Sequence, residues 1–159
     1  MASLLLAPEF IAEEGMVRLV SMRLHLPRTT PLTVSALYAP AGDSPEEQRQ
    51  RAALYTTLGK AMHGTHIIAG DMNAALLPGD RASVDSNQLS ASKDKAHAAF
   101  VSLHQLTSPD AHASPWPHSF YSHGNLTARS RIDDVLINRA IPPGTASLQV
   151  LEEGTCSDH

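Results

Sequence analysis

Apolar and polar positions alternate from Val17 to Leu26. Val17, Leu19, Met22, Leu24 and Leu26 are apolar, and Arg18, Arg23 and His25 fall between them. A period of two predicts a strand, here with one irregular step near Val20-Ser21. Pro27 to Pro31 reads as a turn. Leu32 to Tyr38 is a second strand, rich in β-formers and stopped by Pro40. The short gap makes the two an antiparallel pair.

The period then changes. Ser44-Pro45-Glu46-Glu47 is a helix start: Ser44 caps, Pro45 suits the first helical position, and Glu47 completes a capping box. Leu54, Tyr55, Leu58 and Met62 recur at helical spacing, and Gly64 ends the helix. Thr65 to Ala69 is a short apolar strand running into Gly70-Asp71. Leu77 to Ser92, full of Gly, Pro, Ser, Asp and Asn, reads as a long loop. A second helix is expected over Lys93 to Leu106, with Ala96, Ala99, Phe100, Leu103 and Leu106 inward. Thr107 to Pro117 is loop. Ser119 to Tyr121, Arg131 to Ile137 and Ser147 to Leu151 are strands, with a turn at His123-Gly124-Asn125. Strands interleaved with helices give an α/β or α+β class. No internal repeat or linker breaks the chain.

Composition narrows the function. With 12 basic and 16 acidic residues the formal charge is -4, the reverse of what a passive nucleic-acid coat needs. An enzyme whose acidic site takes a cation remains compatible with that balance. The single cysteine, Cys156, excludes an internal disulfide and a four-cysteine zinc site. Leu4-Leu5-Leu6 is too short for a membrane span and lacks the basic lead of a signal peptide. No membrane association and an intracellular location, nuclear or cytoplasmic, are expected.

Polar residues collect at strand ends. Asp71 and Asn73 follow Ile67 to Ala69, Tyr38 ends another strand, and Asp158 and His159 close the sequence. Strand ends are where a rigid scaffold presents reactive groups. Each alone has an ordinary explanation: Asp71 and Asn73 as turn residues, Tyr38 as a core-edge aromatic. Asp133 is harder to dismiss, because a carboxylate within Ile132 to Ile137 costs energy if unpaired. One of Asp133 and Asp134 can face solvent; the other needs a partner. Carboxylates with an amide and no thiols favour a hard cation such as magnesium. A histidine beside them suits acid, base or phosphate contact near neutral pH. Together they suit metal-assisted attack of water on phosphorus. His97, His104, His112, His118 and His123 show no ligand spacing and read as surface or loop residues. No phosphate-cradling glycine loop, nucleophile elbow or dinucleotide fingerprint occurs.

Four segments, in this order, resemble the endonuclease/exonuclease/phosphatase family, whose members include deoxyribonuclease I and the endonuclease domains of non-LTR retrotransposons. They are Leu37-Tyr38-Ala39-Pro40, Ile68-Ala69-Gly70-Asp71-Met72-Asn73-Ala74, Ser130-Arg131-Ile132-Asp133-Asp134-Val135-Leu136-Ile137 and Ser157-Asp158-His159. The resemblance runs from about Leu4 onward and is nearest to the retrotransposon type. It implies a deoxyribonuclease I-like four-layer α/β sandwich and magnesium, or manganese, as cofactor. It also implies a monomer acting on nucleic acid, DNA before RNA. Asp71 would orient or deprotonate the attacking water, and Asn73 would hold the phosphate or metal-bound groups. Asp158 would bind metal, with Asp71 and Asn73 also on the metal side. His159 would contact the scissile phosphate with Asp133 as its carboxylate partner. Tyr38 would hydrogen-bond a phosphate oxygen.

The sequence departs from the family pattern in three places. The usual first strand with Asn and second strand with a metal-binding Glu are absent before Met1. Ala41 stands where many nucleases carry Asn. The final strand after Ser-Asp-His is absent. Residues 1–159 are therefore expected to form one partial domain, impaired in activity. Two rivals remain: a phosphatase or lipid phosphodiesterase of the same fold, and a non-catalytic remnant. Ala74-Ala75-Leu76-Leu77 lacks the aromatic and Arg residues that inositol-phosphate phosphatases tend to carry after Gly-Asp-x-Asn, which favours a nuclease.

Overall fold

The computed structural model describes residues 9–12, 18–25, 30–42, 44–75, 81–83, 95–109, 120–121, 128–130 and 132–138. Its strands are β1 (Glu9–Ala12), β2 (Leu19–Leu24), β3 (Leu32–Tyr38), β4 (Thr65–Asp71), β5 (Arg81–Ser83), β6 (Leu106–Thr107), β7 (Phe120–Tyr121), β8 (Ala128–Ser130) and β9 (Asp133–Asn138). Its helices are α1 (Pro45–Ala61) and α2 (Lys95–Leu103). The main sheet has six strands in the order β1-β2-β3-β4-β9-β6, and a second sheet has the order β5-β8-β7. The class is α/β. Of the expected strands, Phe120–Tyr121 appears as β7 and the Arg131 to Ile137 strand as β9, β8 was not expected, and the turn at His123-Gly124-Asn125 and residues 147–151 lie outside the described residues.

The hairpin β2–β3 is antiparallel, as the short gap dictates, with Leu19 opposite Leu37 and Leu24 opposite Leu32. The strand β2 carries no irregular step. Val20 and Ser21 follow strict alternation, and Ser21 is a buried polar residue on the core face where an apolar one was expected. From β3 the chain crosses through α1 and returns as β4, parallel to β3, with Leu32 opposite Thr65 and Tyr38 opposite Asp71. A crossover of this length is what a parallel pair requires. It also puts the carboxyl ends of both strands on one edge.

The start of α1 follows from its sequence. Ser44 Oγ accepts from the Glu47 amide at 3.3 Å, and Glu47 returns a bond to the Ser44 amide at 2.9 Å. Pro45 occupies the first helical turn. Leu54, Tyr55 and Leu58 face the sheet and meet Leu19, Leu37, Ile68 and Leu136, with Phe100 of α2 beside them. Truncating a fully buried leucine such as Leu58 to alanine costs about 2–5 kcal/mol.

The second helix is shorter than the expected 93–106. Gln105 takes a left-handed turn at φ 53°, and Leu106 enters β6. Its inward face also differs. Phe100 and Leu106 are buried and Ala96 packs partly, but Ala99 is exposed and Leu103 is 76% exposed. His97 is buried instead, its ring 5.6 Å from that of Tyr55. The long loop over 77–92 is interrupted by β5, and Thr107 is in β6. Among the described residues, no helix is long and apolar enough to cross a membrane.

Candidate active site

Two neighbouring loops leave the same edge of the main sheet. The β3 loop runs from Ala39 to Gly42. The buried Arg51 of α1 holds it, donating to the carbonyls of Pro40 at 2.8 Å and Gly42 at 2.5 Å. The β4 loop runs from Met72 to Ala75. The Tyr55 hydroxyl donates to the Met72 carbonyl at 3.4 Å, and the Met72 amide donates to the Ile132 carbonyl at 2.8 Å. The close approach of β3 to β4 depends on Gly70. At φ 144°, a Cβ on Gly70 would collide with the Leu37 carbonyl.

The strand register sets the site. Tyr38 lies opposite Asp71, and Asp71 lies opposite Asp133. The three residues therefore form one row across β3, β4 and β9, and in-register neighbours share a face of the sheet. Tyr38 is 51% exposed, Asp71 only 9%, and Asp133 is half-buried. The next residue shows the alternation: Asp134 points to the other face and accepts from Ser108 Oγ at 2.8 Å and from the Val135 amide at 2.8 Å. Of the two adjacent aspartates, Ser108 is the partner that the apolar strand required.

Asn73 lies beside the row, two residues past Asp71. Its backbone is left-handed at φ 45°, a region where Asn is tolerated better than most residues. Asp71 Oδ1 accepts from the Asn73 amide at 2.8 Å, an Asx turn. Asn73 Nδ2 donates to the Ala39 carbonyl at 2.7 Å, so the side chain ties the β4 loop to the β3 loop. That bond leaves Oδ1 as the end of the amide that can accept a donor or a cation.

Four expected site residues, Tyr38, Asp71, Asn73 and Asp133, are thus brought to one edge. Asp158 and His159 lie outside the described residues. Among the described residues, no group of three or more His, Cys, Asp and Glu is placed to hold a metal ion. The chemistry of the donors is nevertheless compatible with a hard cation: two carboxylates and an amide oxygen.

Sequence reasoning missed Arg18. The Tyr38 amide donates to the Arg18 carbonyl at 2.8 Å, which extends the β2–β3 ladder by one residue beyond Leu19–Leu37. The Arg18 guanidinium stands 5.3 Å from the centre of the Tyr38 ring, at cation–π distance. The available signal was the hairpin register, since pairing Leu19 with Leu37 sets Arg18 against Tyr38. Sequence reasoning also misplaced histidines. His97 is buried, and His104 is half-buried with its ring 4.9 Å from that of Phe100.

Residues 7–159 match the sequence model of the Endonuclease/Exonuclease/phosphatase family. The chain belongs to this family. Among solved structures, it is similar to the 3′ phosphatase NExo from Neisseria bound to a product DNA hairpin. That pair has 18% identity and a TM-score of 0.62, over 85% of this chain and 60% of that one. The 3′-5′ exonuclease NExo from Neisseria meningitidis gives 18% identity and a TM-score of 0.61, over 85% and 59%. The endonuclease domain of TRAS1, a telomere-specific non-LTR retrotransposon, gives 12% identity and a TM-score of 0.48, over 82% and 56%. The chain therefore spans about 60% of the length of the Neisseria structures. Compared with the curated proteins, the sequence has no significant match. Members of this family are hydrolases of phosphate esters, and the α/β fold agrees with that assignment.

Proposed function

We propose that the protein hydrolyses phosphodiester bonds of nucleic acid, DNA before RNA, with a magnesium-class cation. The observation that carries the reading is the row Tyr38–Asp71–Asp133 on three adjacent strands, with Asn73 clipped beside it. Asp71 is mostly buried, and its Oδ1 accepts from the Asn73 amide, which fixes the carboxylate at the end of β4. A carboxylate held in this way can orient a water and take its proton as the water attacks phosphorus. Tyr38, half-exposed, would donate its hydroxyl to a phosphate oxygen. Asn73 Oδ1, Asp71 and Asp158 would hold the cation, whose charge would neutralise the developing phosphorane. Asp133 would orient His159 at the scissile phosphate. The DNA hairpin bound by the similar Neisseria phosphatase supports a nucleic-acid substrate.

The test is nicking of supercoiled plasmid by the purified chain, run beside phosphate release from inositol phosphates. The expected result is magnesium-dependent nicking that Asp71→Asn abolishes. Inositol-phosphate hydrolysis without nicking, or nicking that Asp71→Asn leaves intact, would sink the proposal.

A further inference from the structure

The catalytic row has a fourth member. Register places Arg18 beside Tyr38, so Arg18, Tyr38, Asp71 and Asp133 occupy one line across β2, β3, β4 and β9. Alternation puts the Arg18 side chain on the same face as Val20 and Tyr38. The guanidinium lies over the Tyr38 ring. Two of its nitrogens, Nε and Nη1, are buried with no hydrogen-bond partner among the described residues. A guanidinium with shielded, unsatisfied donors is costly. Once its donors are uncovered, a planar fork fits phosphate oxygens in pairs.

Position distinguishes this group from the hydrolytic one. Arg18 is two strands from Asp71, about 10 Å at ordinary strand spacing. The Tyr38 strand separates them. A phosphate gripped by Arg18 is therefore not the one attacked at Asp71. Along a nucleic-acid strand it is a neighbour on the Tyr38 side. Stacking on Tyr38 limits the rotamers of the arginine, so less freedom is lost when the phosphate arrives.

We infer that Arg18 binds a non-scissile phosphate of the substrate strand, so that this site selects a polynucleotide over a mononucleotide. The inference rests on the nucleic-acid reading above. Removing one phosphate contact should weaken binding about tenfold and lower the salt slope of the affinity by about one.

The experiment measures binding of a short fluorescent DNA duplex by anisotropy across a salt series. A chelating buffer prevents cutting. Arg18→Ala should lose about tenfold in affinity and about one unit of slope. Arg18→Met, which keeps an aliphatic stem on Tyr38, should lose the same unit, which guards against a folding artefact. Arg18→Lys keeps the charge without the fork and should fall between. Arg49→Ala removes the same charge from the exposed surface of α1 and should leave the slope unchanged. Competition by a mononucleotide should be equal for wild type and Arg18→Ala. The inference is overturned if Arg18→Ala binds the duplex as wild type does, if Arg49→Ala has the same effect, or if the wild type shows no binding. Arg18-dependent binding without magnesium-dependent nicking would count against the hydrolytic reading alone. Nicking with Arg18-independent binding would count against Arg18 alone.

Discussion

The main sheet carries two sets of polar residues that end differently. On the face covered by α1 and α2, Ser21, Ser35 and His66 form a chain across β2, β3 and β4. Ser21 Oγ and Ser35 Oγ are 2.8 Å apart, and Ser35 Oγ is 2.9 Å from His66 Nε2. All three are at most 1% exposed. At the carboxyl edge, Tyr38, Asn73 and Asp133 lie on equally regular strands and turns and are at least partly exposed, with Asp71 buried among them. Hydrogen bonds in the first set run from strand to strand and leave His66 Nδ1 buried without a partner among the described residues. Those in the second set fix the backbone of two neighbouring loops. The contrast teaches that polarity in a sheet does not mark function. What separates the two sets is place: one lies under the helices, the other where two loops leave the strands.

The sharpest way to break this comparison is at Asp71. Asp71→Asn should lower the nicking rate about 10²–10⁴-fold, equivalent to about 3–5 kcal/mol in the barrier. Its urea midpoint should move little. A large loss of stability with normal activity per folded molecule would reverse the roles assigned to the two sets.

Gly70→Ala tests the spacing on which the edge depends. The added methyl meets the Leu37 backbone, and alanine disfavours φ 144°. Denaturant unfolding should show a loss of about 3 kcal/mol.

The covered face should respond to acid. Burial pushes the His66 imidazole down to about 4 from an ordinary 6.5, and the nearby charges of His104, Arg23 and His63 act in the same direction. Above pH 6.5, folded and unfolded chains both carry neutral His66. As pH falls from 6.5 towards 4, the unfolded chain takes up a proton that the folded chain refuses, so stability drops. Below about 4 this contribution levels off. The loss is on the order of 2–3 kcal/mol. It is measured as the excess pH dependence of urea unfolding in wild type over His66→Gln. Equal pH dependence in the two proteins would refute it. The smallest expected effect is at the start of α1, where Ser44→Ala should lower stability by about 1 kcal/mol in the same assay.

Local chemistry made parts of this molecule legible in its sequence. The capping box fixed the start of α1, and β-formers bounded by Pro40 gave β3 its span. The polar residues at strand ends gave Tyr38, Asp71, Asn73 and Asp133 in advance. What sequence reading lost depended on contacts distant along the chain. Ser21 looked like an irregular step because its partners, Ser35 and His66, come from other strands. His97 looked like a surface residue, and Leu103 like a core residue, because the face that α2 buries is chosen by Tyr55 and the sheet. Arg18 was invisible as a site residue until the β2–β3 register set it beside Tyr38.

The order of the chain has a consequence for how competence arises. Tyr38, Asp71 and Asn73 come from one β3–α1–β4 unit, whose two strands lie side by side and whose crossover helix covers them. Asp133 arrives from β9, sixty-two positions after Asp71, and joins only when that strand adds to β4. A chain caught before that addition would hold half of its acidic pair in place and none of the chemistry. Docking of β9 is thus the step that completes the row of Tyr38, Asp71 and Asp133.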